Sequence, residues 1–267
     1  NCFRIAKRKK HVITFCTLVF LSVETASSTY AAPKGWQITS GKGSIAQIGV
    51  DTNIHQQSQQ IDINWQEFST RSGEAVNFVQ PNISAVAINR VVGGVPSYLE
   101  GALNANGRVF ILNDSGITFA KGARVNVGAL IASTAKDLKI KGDTYEFSDA
   151  NHAFVINQGN VKISDGGFAV LAAPYTKNEG VIQANLGRVD LASATAFTVD
   201  LRGDNLITYA ISEGNVKKLG VENTGTITAQ SGTVNITTTA ASQIVSNSIN
   251  LDGLIDVDSF TTGQDAG

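Results

Sequence analysis

Along most of the chain, apolar residues recur at every second position rather than every third or fourth. Ile61-Asp62-Ile63-Asn64-Trp65 alternates, as do Gly187-Arg188-Val189-Asp190-Leu191 and Gly232-Thr233-Val234-Asn235-Ile236, while Arg108-Val109-Phe110-Ile111-Leu112 follows the pattern in part. A period of two sends successive side chains to opposite faces of an extended backbone, so these segments predict half-buried β-strands. No stretch after residue 32 sustains a helical period with capping residues at its ends. One apolar run differs in kind. Val12 to Leu21 follows a basic cluster (Arg4, Lys7, Arg8, Lys9 and Lys10) and precedes small residues, with Thr29 and Ala31 at the −3 and −1 positions of a cleavage site after Ala31. That order predicts a removable export signal over residues 1–31. The rival reading, a membrane anchor, needs about 20 apolar residues to span the bilayer, and this run is too short.

The strands also repeat. An Asn-x-Gly-x-(Val/Ile) pattern occurs at Asn157–Val161 and recurs at Asn223–Ile227; Asn178-Glu179-Gly180-Val181-Ile182 matches it, and Leu251–Ile255 is a looser copy. Gly159 and Gly180 are 21 residues apart, and Gly180 and Gly225 are 45 apart, near two such periods. A second glycine and strand follow each full unit, at Gly167, Gly187 and Gly232. A fixed period of short strands and turns predicts one coil of a parallel β-helix per repeat. In this reading Gly or Asn takes the positive-φ corner, and alternate Val, Ile and Leu point inward. With coils spaced by about 4.8 Å, roughly 200 residues give on the order of nine coils and a rod of about 45 Å. A β-sandwich is the main alternative, but it does not call for a sequence period. A rod needs its first coil closed. Residues 32–80, which lack the repeat and carry Trp36, Ile45, Ile54, Ile61 and Trp65, are assigned to an N-terminal β cap, and residues 81–267 to the helix.

Composition narrows the function. Of 267 residues only 16% are charged, the formal net charge is −1, and glycine numbers 26. Without residues 1–31 the balance becomes 16 basic against 21 acidic, a net charge of −5. A coiled coil, a charged disordered tail and a basic nucleic-acid binder are thereby excluded. Sparse charge suits stacked coils, where like charges would repel and Asn, Ser and Thr ladders can hydrogen-bond. Both cysteines, Cys2 and Cys16, fall within the signal, so the exported part forms no disulfide. That leaves a chain able to stay extended while crossing a second membrane, although envelope proteins often lack cysteine without such a need. Methionine is absent and the last residues carry no cap, so a clipped start and a C-terminal continuation of the rod are expected.

Several separated segments, in order, resemble the secretion domain of the filamentous-haemagglutinin family, close to its high-molecular-weight adhesin branch. They are Asp62–Phe68, Glu74–Asn82, Ser84–Val91, Gly101–Asn113 and Lys121–Thr134, with the likeness strong over about residues 36–135 and looser beyond. The resemblance implies an all-β, right-handed parallel β-helix (a single-stranded solenoid) with an N-terminal cap. It also implies secretion by the two-partner route. The partner is then an outer-membrane barrel whose periplasmic POTRA domains recognise this domain, leading to the cell surface or medium. Host-cell or matrix receptors would be met by a C-terminal part beyond residue 267, as adhesin, haemagglutinin, biofilm protein or toxin.

The resemblance points to particular residues. The family's Asn-Pro-Asn-Gly-Ile turn falls at Asn113-Asp114-Ser115-Gly116-Ile117, with Asp114 and Ser115 in place of Pro and Asn. Asp and Ser suit a tight turn and Gly116 supplies the permissive φ, so the turn should survive. A partner contact requiring proline at 114 would not. The Pro81-Asn82 pair is intact, and Asn89-Arg90 could present a cation to the partner or cap a turn. Each has a plainer reading as a structural turn, as Trp65 and Phe68 do as cap core.

Enzyme chemistry finds little support. Asp190, Asp200 and Asp204 are the nearest candidates for a glycosidase pair on a β-helix groove, but their surroundings read as strand and turn. Ser193 and Ser212 lack a nucleophile's strand-turn-helix setting. Gly41-Lys42-Gly43-Ser44 lacks the upstream glycine of a phosphate loop. His55 and His152 stand far apart with no metal-ligand spacing, so neither metal nor cofactor is expected.

Overall fold

The computed structural model describes residues 32–150, 153–201, 207–210, 220–238 and 249–257. The signal expected over residues 1–31, and His152, Asp204 and Ser212, lie outside the described residues. Alternation makes a three-faced coil. Successive turns of chain add strands to a nine-stranded, an eight-stranded and a six-stranded sheet, and outside the N-terminal cap like strands stack in parallel register on successive coils.

The nine-stranded face shows the simplest case. Val76, Leu103, Val125, Val161, Ile182 and Ile227 occupy one register row pointing into a continuous apolar core. The next row points out and stacks Asn53, Asn77, Asn104 and Asn126. Asn77 Nδ2 donates to Asn53 Oδ1 at 3.1 Å and Asn104 Nδ2 to Asn77 Oδ1 at 2.9 Å. We call this the amide face. Among the described residues it contains eight parallel strands, from Asp51–Gln56 to Leu254–Asp256, against the roughly nine coils expected.

The longest repeat spacing has a definite explanation. Asn178 pairs directly with Asn223, so the 45-residue spacing is one coil carrying an insertion and not two periods. A similar insertion separates Ala129–Ser133 from its parallel neighbour Phe168–Ala173. The inserted strands are Asp137–Lys141, Thr144–Ser148, Ala196–Asp200 and Ile207–Ala210. They join in that order as an antiparallel lateral sheet.

The lateral sheet lies over the eight-stranded face. Strands there, such as Arg108–Leu112, Ala129–Ser133 and Phe168–Ala173, are buried on both sides. Val109, Ile111, Leu130 and Leu171 face the helix interior, while Phe110, Ile131, Phe168 and Val170 face Tyr145, Phe147, Phe197 and Val199 of the lateral sheet. Near-continuous apolar runs are what two-sided burial requires. Phe147 and Phe197 stack at 4.3 Å between ring centroids, and Phe110 meets Tyr145 edge-on at 5.4 Å.

At the N-terminus, Gln37–Ser40 pairs antiparallel with Gln60–Trp65, and Gly43–Ile48 with Asp51–Gln56. Trp65 packs edge-on against Trp36 and Phe68. Parallel stacking already begins at Asp51–Gln56 and Gln60–Trp65, so the first coil precedes the boundary drawn at residue 80. The reason is that these strands serve twice, as cap partners on one edge and as the first coil on the other.

The repeated glycines play a different part from the one expected. Gly180 has no positive φ; a Cβ there would lie 2.1 Å from the Gly159 carbonyl oxygen of the previous coil. Close approach between coils, not a left-handed corner, requires the glycine. Asn157 and Asn178 beside these glycines are buried, and Asn157 Nδ2 donates to Asn178 Oδ1 at 2.8 Å, continued by Asn178 Nδ2 to Asn223 Oδ1 at 2.7 Å. The internal ladder holds each corner where its neighbour needs it.

Candidate partner interface

The turn at Asn113–Ile117 lies where the eight-stranded face hands over to the six-stranded one. Asn113 is buried, and its side chain does three things. Its Oδ1 accepts from Ser115 N at 2.9 Å, while its Nδ2 donates to Val95 O at 3.0 Å and Ser97 Oγ at 2.9 Å. Gly116 N donates to Asn113 O at 3.1 Å, closing the turn, and Gly116 O accepts from Ser97 N at 2.9 Å. Gly116 has φ of 116°, a conformation that favours glycine, and Ile117 is fully enclosed. Asp114 alone of the five is well exposed, at the tip. Asp114 and Ser115 therefore form a sound turn without proline or a second asparagine.

Pro81 and Asn82 sit at a different corner, between the strands Ala75–Val79 and Val86–Val91. Both are exposed. Asn82 Oδ1 accepts from Ser84 N at 3.0 Å, and its Nδ2 donates to Gln59 Oε1 at 2.9 Å on the preceding coil. The structure thus does not bring this corner together with Asn113–Ile117.

Asn89 and Arg90 part company. Asn89 is enclosed in the helix interior, accepting from Trp65 Nε1 at 3.0 Å and donating to Phe110 O at 3.2 Å, so only Arg90 faces outward. Arg90 pairs in register with Leu112, which places it near the tip at Asp114. Both line an open cleft of about 640 Å³ with Val92, Leu112, Lys136, Asp137, Leu138 and Lys139. Arg90 Nη1 donates to Lys136 O at 2.6 Å across its floor. The cleft joins two residues legible in the sequence to the lateral sheet, which was not. Alternation in Asp137-Leu138-Lys139-Ile140-Lys141 was the available signal.

The carboxylates weighed for enzyme chemistry are placed otherwise. Asp190 is fully buried between the eight-stranded face and the lateral sheet, paired by both oxygens with Arg188. Burial holds its carboxyl above the usual range, partly offset by Arg188. Burial, followed by the Asp190 charge, pushes the nearby Tyr209 phenol up. On the six-stranded face Lys177 bridges Glu179 at 2.7 Å and Glu222 at 3.3 Å. Burial and a hydrogen bond with Glu222 push Tyr175 up to about 12. No group of three or more His, Cys, Asp or Glu suited to a metal occurs among the described residues.

Comparison with known proteins agrees with this architecture. Residues 29–262 match the family model described as the TPS secretion domain. The chain is 33% identical over 240 residues to a protein named heme/hemopexin-binding protein from Haemophilus influenzae (strain ATCC 51907 / DSM 11121 / KW20 / Rd), covering 85% of this chain and 26% of the relative. The chain thus spans about a quarter of that relative's length. The crystal structure of the HMW1 secretion domain from Haemophilus influenzae superposes with a TM-score of 0.72 at 29% identity, over 85% of this chain and 60% of that one. That of a filamentous hemagglutinin secretion domain superposes at 0.53 and 13% identity, over 85% of this chain and 99% of that one, a likeness of fold. A cap, stacked parallel coils and a match running through nearly all of them lead to one conclusion: the chain belongs to the TPS secretion-domain family, the module through which two-partner-secretion exoproteins leave the cell.

Proposed function

We propose that this domain is the N-terminal address and folding nucleus of a long exported protein. A signal over residues 1–31, cleaved after Ala31, takes the chain across the inner membrane. The domain is then recognised by the periplasmic POTRA domains of an outer-membrane barrel, and its coils stack outside the cell. The reading rests chiefly on the family match over residues 29–262. Nearest-neighbour stacking gives it a mechanism: each coil that emerges buries apolar surface against the last, so folding outside biases outward movement without a nucleotide. That this chain covers 26% of a relative's length supports a longer protein whose distal part carries its own activity. Two relatives named heme/hemopexin-binding proteins favour capture of haem or its carrier by that part, beside the adhesin reading.

The test is export of residues 1–267, given an initiating Met, in cells with and without a co-expressed two-partner barrel. Appearance in the medium only with the barrel is the expected outcome. Retention as a folded periplasmic protein under both conditions overturns the reading.

A further inference from the structure

The two inserted hairpins leave the rod at one corner. Asp137–Lys141 and Thr144–Ser148 follow the strand Ala129–Ser133 of the eight-stranded face, and Ala196–Asp200 and Ile207–Ala210 follow Arg188–Ser193 of the same face. A complete coil separates the two exits, because Phe168–Ala173 stacks between those strands. Thr144–Ser148 and Ala196–Asp200 nevertheless pair directly, Tyr145 opposite Val199 and Phe147 opposite Phe197. The lateral sheet therefore bridges the coil between them, whose Phe168 and Val170 pack beneath it. It also reaches back toward the cap, where Tyr145 Oη donates to Gln60 Oε1 at 3.1 Å on the first coil.

A solenoid without such a bridge is held by contacts between adjacent coils only, so it frays one coil at a time from an open end. Here one apolar layer runs across five consecutive strands of the eight-stranded face, which contribute Ile88, Phe110, Ile131, Val170 and Ala192 to the core under the lateral sheet. The sixth strand, Thr233–Thr238, contributes nothing to it. Its outward positions, in register with Arg188, Asp190 and Ala192, are Thr233, Asn235 and Thr237, and none of the three is buried. The two-sided core thus stops between Arg188–Ser193 and Thr233–Thr238, although the coils do not.

We infer that the lateral sheet is a clasp, which makes the coils from the cap through Arg188–Ser193 one cooperative unit and leaves the later coils to come and go singly. To unstack the coil that carries Phe168–Ala173, the chain must first part Thr144–Ser148 from Ala196–Asp200 and open the aromatic core beneath them. Partly unwound states of this block therefore lose nearly as much burial as complete unfolding does. The coils carrying Thr226–Thr228 and Leu254–Asp256 can leave without disturbing that core. Unwinding that begins at the C-terminal coils stops near residue 200, and the clasp gives the rod a fixed base.

Native-state hydrogen exchange on the full exported chain, followed strand by strand along the amide face, tests this. After correction for intrinsic rates, Arg124–Val127, Asn160–Ile163 and Val181–Gln183 are expected to share one protection factor, with Thr226–Thr228 and Leu254–Asp256 at least about tenfold less protected. Phe197→Ala lies on the lateral sheet, away from all of these strands. It should nevertheless spread the three shared values apart, with the protection of Val181–Gln183 falling furthest, by about a hundredfold. Ile182→Val weakens the rod core but leaves the clasp closed, so it should lower the three by one common factor, about fivefold. Protection that declines evenly from coil to coil in the unsubstituted chain, with no step between Val181–Gln183 and Thr226–Thr228, overturns the clasp whether or not Phe197→Ala folds. A common factor for Phe197→Ala, as for Ile182→Val, overturns it as well.

Discussion

The amide face and the eight-stranded face are built from the same coils, yet they solve opposite problems. Outward positions on the amide face meet water, so they are Asn53, Asn77, Asn104 and Asn126, and the first three bond side chain to side chain along the rod. On the eight-stranded face the outward positions are Phe110, Ile131, Phe168 and Val170, because a second sheet covers them. One face is finished by its own repeat. The other depends on hairpins inserted far apart in the chain. Local stacking thus suffices for a rod, whereas the two-sided core exists only once residues near 145 and near 200 have met. If the chain emerges through a barrel as proposed above, the amide face forms coil by coil, and the covered face waits for the second hairpin.

Unequal sensitivity to truncation is the sharpest way to test that contrast. Phe197→Ala removes a ring stacked on Phe147 in the covered core and should cost about 3–5 kcal/mol, read from denaturant unfolding. A loss below about 1 kcal/mol would mean that the lateral sheet is a loose appendage and not a second core. Asn77→Ala, in the middle of the solvated ladder, should cost about 0.5–1 kcal/mol by the same measurement. A loss as large as that of Phe197→Ala would erase the distinction between the faces.

The smallest effect is a slope with pH. Asp190, with Arg188 on its own strand, Asn235 on the neighbouring strand and Tyr209 across the interface, has its folded carboxyl raised by burial. A folded value above the unfolded one means that the native state takes up the proton first. Acidification from neutrality toward about pH 4 therefore adds stability through this group, with the gain complete below the ordinary Asp value of about 3.9. Asp190→Asn lacks that gain, so the wild-type chain should improve relative to the variant as pH falls, measured by thermal unfolding across the range. A difference that shrinks on acidification would show that the Arg188 pair outweighs burial.

Legibility in the sequence followed the range of the interaction. Strand alternation, the Asn-x-Gly units and the segments resembling the secretion-domain family were readable because each is local or repeats at fixed spacing. The same repeat misled at Gly180 to Gly225, where an inserted hairpin mimics the length of an extra coil. Asn89 and Arg90 are neighbours of similar polarity, and nothing local says that one enters the interior while the other lines a cleft; only the strand's register against Trp65 and Leu112 decides it.

By itself, then, the sequence determined the coil: period-two burial, a glycine wherever one coil's corner presses on the last, and uncharged polar residues to stack in between. These follow from sterics and hydrophobic burial acting between stacked positions about 20 to 28 residues apart wherever no hairpin is inserted, so they are written locally into the coils. Tertiary structure alone decided that Thr144–Ser148 would pair with Ala196–Asp200, that their aromatic side chains would roof one face, and that the Asp137–Lys141 edge would be left open beside Arg90. That pairing joins segments some 50 residues apart with no shared period, and its energy comes from a core that neither hairpin can bury alone.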